Sequence, residues 1–172
     1  MTIGERDGPD NSATPGWLAL QHQRLDQWEL DVGLPTLQVP LIKDEAVRLL
    51  ELTPDDRRRL SGEELADAAV TLSMYATYLS RLAQREEADA VLLDERVVSL
   101  LRCSLANQPA YTPHERRVLA LNQSVEARAT DLQRVGASVK AKRLAFFAAR
   151  VDRVAQSYER LAYSRRGERH GQ

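Results

Sequence analysis

The last proline in the chain is Pro113, and the stretch it opens constrains the fold more than any other feature. That stretch begins T-P-H-E at Thr112–Glu115. A hydroxyl cap, a proline ring at the first helical position and a carboxylate reaching back from three residues on make a strong helix start. With no later proline to stop it, one helix of roughly fifty residues is predicted to run to about Ser164, about 75 Å at 1.5 Å per residue. Its first third mixes charges and the remainder is strongly basic.

A second long helix is predicted upstream. Ser61 and Glu64 have the spacing of another capping box. Apolar or small residues then recur at Leu65, Ala68, Leu72, Tyr75, Leu79 and Leu82, and again at Leu93, Val97 and Leu100. The first six alternate steps of three and four, a heptad rhythm. Continuing it puts Glu86 and Asp89 on the seam, as a register device or a polar break. This helix can run to about Ala106, and Asn107–Tyr111 then forms the turn. Long helices joined by about five residues fold back antiparallel. The predicted fold is all-α, a long coiled-coil-like helical hairpin over residues 61–172.

In the last helix, Val118, Leu121, Val125, Leu132, Val135, Val139, Phe146, Val154, Tyr158 and Leu161 form a broad apolar arc. Gly136 is a weak spot there, costing about 1 kcal/mol relative to alanine. The arc is wider than a two-stranded seam needs, so a homo-oligomer of hairpins side by side is expected.

The N-terminal third reads as lashing. Residues 1–14 lack periodicity and are expected to be a disordered tail. Residues 15–60 form a short-helix arm and connector. Trp17–Asp31 is a plausible amphipathic helix with Trp17, Leu20, Leu25 and Trp28 as anchors, either docking on the main helices or gripping a neighbouring subunit. Val32–Leu41 carries Gly33, Pro35 and Pro40 and reads as extended. A short helix over Lys43–Leu52 follows, and Thr53-Pro54 starts another turn through Leu60.

The net charge of −1 conceals an asymmetry. Residues 134–172 hold ten Lys/Arg against three Asp/Glu, a net of +7, which leaves −8 on residues 1–133. Such a chain can bind a polyanion or pair its opposed segments between copies. Cys103 is the only cysteine, so no internal disulfide can form and a reducing, cytoplasmic location is expected. No run approaches the roughly twenty apolar residues that span a bilayer, so no membrane partner is expected.

Catalysis finds no support, and neither a cofactor nor a metal is expected. The histidines, His22, His114 and His170, lie far apart in the sequence, and no metal, nucleotide or redox motif is present. The best constellation is basic and aromatic, centred on V-K-A-K-R-L-A-F-F at Val139–Phe147. Lys142, Arg153 and Arg160 form one helical stripe beside Phe146, with Arg143 and Arg150 seven apart. If the hairpin closes around residue 109, Tyr75 lies near Leu144 and Tyr78 near Ala141. Tyr75, Tyr78, Phe146 and Phe147 would then cluster among Lys140, Lys142, Arg143 and Arg150. Cations neutralise phosphates and unpaired bases stack on rings, the two needs of a single-stranded nucleic acid site. The same aromatics can equally be core or subunit interface, with the arginines snorkelling outward. Arg165 and Arg166, near the C-terminus, are further candidate phosphate contacts.

The pattern resembles the UvsY-like recombination mediators of T4-like phages. The residues that carry the resemblance are M-Y-A-T-Y-L at Met74–Leu79, the charged, Ala-rich helix after it, and L-A-Y-S-R-R at Leu161–Arg166. It covers approximately residues 61–169. It implies a non-enzymatic ring-forming oligomer that binds single-stranded DNA, and as partners a recombinase and a single-strand-binding protein that the recombinase displaces. A phage protein of this kind would act in the host cytoplasm. The rival expectation is a structural coiled-coil virion or scaffold protein, in which the +7 and −8 segments pair between subunits and no nucleic acid binds.

Overall fold

The computed structural model of the protein describes residues 16–33, 42–106 and 112–170, of which 103–106 and 167–170 are described as backbone only. The expected N-terminal tail, the Pro35/Pro40 connector, the Asn107–Tyr111 turn and the Cys103 side chain lie outside the described residues. The described residues form six helices: α1 (Gly16–Asp31), α2 (Lys43–Glu51), α3 (Pro54–Arg59), α4 (Gly62–Ala106), α5 (Pro113–Gln123) and α6 (Val125–His170). They fall into two compact units, residues 1–37 and 38–172.

In the first unit, α1 exposes Leu20, Trp28 and Leu30. It ends at Gly33, whose φ of 77° permits the left-handed turn that brings its N–H to the Leu30 carbonyl.

The second unit is the predicted hairpin: α4 and α6 make by far the most extensive interhelical contact. Its seam is built from smaller residues than the sequence rhythm singles out. On α4, Leu65, Ala69, Leu72, Ala76, Leu79 and Ala83 are all buried, at alternating steps of four and three. On α6 the matching series is Ala137, Ala141, Leu144, Ala148, Val151, Ala155, Tyr158 and Ala162. Large residues alternate with alanine on α4, and alanine fills every second place on α6. Small seam residues let two helices approach closely, and close-packed methyl groups gain dispersion contacts. Tyr75 and Leu82, which the sequence rhythm places on the seam, instead pack at its edge.

Glu86 does sit on the seam, and its carboxylate meets the Lys140 ammonium at 3.6 Å. This pair shows that the hairpin closes in another register than closure around residue 109, which would set Glu86 opposite residue 133. The offset is about two helical turns, so Tyr75 stands level with about Val151 rather than Leu144. At the open end, Gly62 lies against Arg165 and Ala162.

The single helix expected from Thr112 is broken at Ser124. The start is as predicted: Thr112 Oγ1 accepts from the Glu115 N–H at 3.3 Å and Glu115 Oε2 accepts from the Thr112 N–H at 3.0 Å. Ser124 then takes extended angles and its Oγ accepts from the Ala127 N–H at 3.1 Å, capping a new helix. The Arg128 guanidinium donates to the Asn122 carbonyl and so closes the end of α5. Polar side chains competing for backbone groups do here what a proline does elsewhere. The break lets α5 fold onto α4 and α6, where Ala120, Ala127, Val97 and Leu101 form a small second core. Arg117 locks it, donating to Asp94 at 2.6 Å and Asp131 at 3.2 Å, and Arg134 bonds the same Asp131 at 2.8 Å.

At the other end, α2 and α3 lash the hairpin. Ala46 and Leu49 enter the main core beside Tyr158, whose hydroxyl donates to the Leu49 carbonyl at 2.8 Å. The Arg57 guanidinium lies 5.1 Å from the Tyr158 ring centroid, a cation–π contact. Thr53 caps α3 and Ser61 caps α4 with Glu64, both as predicted.

Candidate nucleic-acid interface

The seam fixes which way every other α6 residue points. With Ala141, Ala148 and Ala155 turned inward, positions 132, 135, 139, 142, 146, 150, 153 and 160 lie on the opposite side at about 100° per residue. Leu132, Val135, Val139 and Phe146 are accordingly exposed, as are Lys142, Arg143, Arg150, Arg153 and Arg160. The outer face of α6 is therefore apolar over its first half and basic over its second.

Among the described residues, none of these five cations forms an ion pair. The contrast with the rest of the chain is sharp: Arg96 pairs with Glu126, Arg117 with Asp94 and Asp131, and Arg134 with Asp131. Arg153 makes one bond, from Nε to the Ala149 carbonyl one turn back. Phe146, Arg150, Arg153, Val154 and Ser157 line a shallow open depression. Ser157 was not singled out from the sequence, and Val154 was read only as part of the apolar arc, although their spacing from Phe146 and Arg153 was a readable helical signal.

The other candidates are distributed differently. Lys140 is turned towards α4 and neutralised by Glu86. Arg165 is part-buried and donates to the backbone carbonyls of Leu60 and Arg58, where it closes the end of α3. Arg166 lines a groove on one flank of the hairpin with Val70, Met74 and Tyr163. Lys142 borders a second groove of about 690 Å³ along the same flank, walled largely by alanine and serine.

The aromatics divide into two pairs. Tyr75 and Tyr78 stack with centroids 6.3 Å apart, half-buried at the edge of the core. Phe146 and Phe147 meet edge-on at 6.0 Å and are exposed. The expected four-ring cluster is not formed among the described residues: Tyr75 and Tyr78 pack against the core, whereas Phe146 and Phe147 are turned to the exposed side of α6, away from α4. Phe146 and Phe147 are the rings that stand beside the unpaired arginines.

Among the described residues, no three His, Cys, Asp or Glu side chains are grouped to hold a metal ion, and no helix is long and apolar enough to cross a membrane. No family model, curated protein or solved structure matches the chain.

Proposed function

We propose that the protein is an oligomeric single-stranded-DNA-binding accessory of recombination, a mediator that helps a recombinase load where a single-strand-binding protein is displaced. The observation that carries the DNA-binding part is the row of Lys142, Arg143, Arg150, Arg153 and Arg160, exposed and without ion pairs among the described residues, along one face of α6. Cations that no carboxylate among the described residues pairs with are held one to two helical turns apart from Lys142 and Arg143 to Arg160, which suits a phosphate backbone. The adjoining phenylalanines offer faces for unpaired bases, each stack contributing about 1–3 kcal/mol. A modest site of this kind, repeated in an oligomer, gives strong and salt-sensitive binding. The recombination role and its protein partners rest on the resemblance in Met74–Leu79 and Leu161–Arg166.

A second reading, a structural coiled-coil component, is favoured by the exposed apolar half of the same face. Fluorescence anisotropy of a labelled oligo-dT with increasing salt separates the two. The mediator reading expects binding that the double substitution Lys142→Ala, Arg153→Ala weakens at least tenfold, with the salt slope reduced by about 1.4 and the particle mass unchanged. Indifference of the unmodified protein to oligo-dT at low salt, or disassembly by the double substitution, would hand the case to the structural reading.

A further inference from the structure

The apolar half of the α6 outer face has a regularity that solvent exposure does not explain. Val125, Leu132, Val135, Val139 and Phe146 lie on one heptad lattice, with Arg128 and Lys142 filling its vacant places. Val125 is 85% exposed, Leu132 66% and Phe146 60%. Apolar residues sustained at heptad spacing on an open helix face specify another helix as the occupant.

Gly136 supplies an independent observation. It lies in the middle of α6, where glycine weakens a helix relative to alanine. A Cβ built there would meet nothing within 4 Å, so packing within its own chain does not require the glycine. It lies on the edge of the heptad stripe, where absence of a side chain lets a second backbone come near.

We infer that this face is a self-association seam on which α6 pairs antiparallel with α6 of a second copy, about a two-fold axis near Gly136. The antiparallel sense follows from charge. A parallel pair would lay Arg143, Arg150, Arg153 and Arg160 beside their own counterparts, whereas an antiparallel pair carries Arg150, Arg153 and Arg160 out at opposite ends. In the register that sets Gly136 level with Ser138 of the partner subunit, and so brings the two glycines within a turn of each other, Val135 meets the partner's Val139 and Leu132 meets the stem of the partner's Lys142. Arg128 then lies over the partner's Phe146, a cation–π arrangement. The five apolar side chains expose roughly 500 Å² per copy, so pairing removes about 1,000 Å², the lower bound for a specific interface.

This inference rests on the assembly part of the proposed function and is independent of DNA. It assigns Phe146 to the seam and leaves Phe147 to any bound base. It is tested without nucleic acid, on the full chain with Cys103 replaced by serine. Light scattering is expected to give a dimer or a multiple of it, and Val139→Glu or Leu132→Lys is expected to halve the mass with the helical circular dichroism retained. Spin labels at Ser138→Cys are expected within about 20 Å of each other, and labels at Gln156→Cys roughly 55 Å apart. A monomer, an unaltered mass in both charged variants, or short distances at both labels would overturn the seam. A dimer with these distances that ignores DNA would sink the mediator reading alone, and a DNA-binding monomer would sink the seam alone.

Discussion

The hydroxyl of Tyr158 donates to the main-chain carbonyl of Leu49, 109 residues earlier in the chain, from a ring with no exposed surface. This bond ties the last turn of α2 to the C-terminal third of α6 and closes the main core. Tyr158→Phe leaves that carbonyl without its buried donor and is expected to cost about 1–2 kcal/mol. Tyr158→Ala empties the ring's place and should cost about 3–5 kcal/mol. Urea denaturation followed by circular dichroism measures both.

Arg165 distinguishes a structural cation from a ligand-binding one. Its guanidinium serves the Leu60 and Arg58 carbonyls, so Arg165→Ala is expected to lower stability by about 1–3 kcal/mol. It should leave oligo-dT affinity and its salt slope unchanged, unlike the Lys142 and Arg153 substitutions. A loss of affinity in the folded variant would move Arg165 back into the binding face.

The bonds around Asp131 make the junction of α4, α5 and α6 sensitive to acid. Partial burial pushes the Asp131 carboxyl up, but the hydrogen bonds and charges of Arg134 and Arg117 outweigh it and hold the group below the ordinary 3.8. A carboxyl whose folded value is depressed stabilises the fold above its unfolded value and loses that contribution as pH falls through the folded one. The unfolding free energies of the native protein and Asp131→Asn, obtained from urea titrations, should therefore differ by a constant amount above about pH 5, of the order of 1 kcal/mol. The gap should begin to narrow below about pH 4 and close only once the pH is under the folded value.

Ser124 can be tested through the helix it starts. Ser124→Ala removes the Oγ that receives the Ala127 N–H and is expected to cost about 1 kcal/mol. Amide exchange at residues 125–128 should quicken more than exchange at the middle of α6. Uniform slowing across 113–130 would instead mean that α5 and α6 had fused into one helix.

How much of this was legible in the sequence follows the range of the interactions involved. The starts of α3, α4 and α5 were readable because Thr53, Ser61 and Thr112 cap residues only three places on. The antiparallel pairing of two long helices was readable from the turn between proline-free stretches. The break at Ser124 was not, since no proline marks it and a serine inside a helical pattern is common. The seam was misplaced by one residue at Tyr75 and Leu82, because hydrophobic periodicity favours the larger of two neighbours and here Ala76 and Ala83 are the residues turned inward. The expected ring cluster failed for a different reason: the tyrosines and phenylalanines do lie at similar heights along the hairpin, but Phe146 and Phe147 point away from α4. The basic stripe survived these errors because Lys142, Arg153 and Arg160 share a helix, and their relation needs no register between helices.

The alanine seam between α4 and α6 has a calorimetric consequence. Each alanine withdraws a single methyl group from water, where a leucine or phenylalanine would withdraw several times that area. The heat-capacity increase on unfolding scales with apolar surface newly hydrated. For this hairpin it should fall below the usual figure of about 12–15 cal/mol/K per residue. The curve of stability against temperature is then broad and shallow, changing little between a cold and a warm environment, and cooling does little to loosen the two helices.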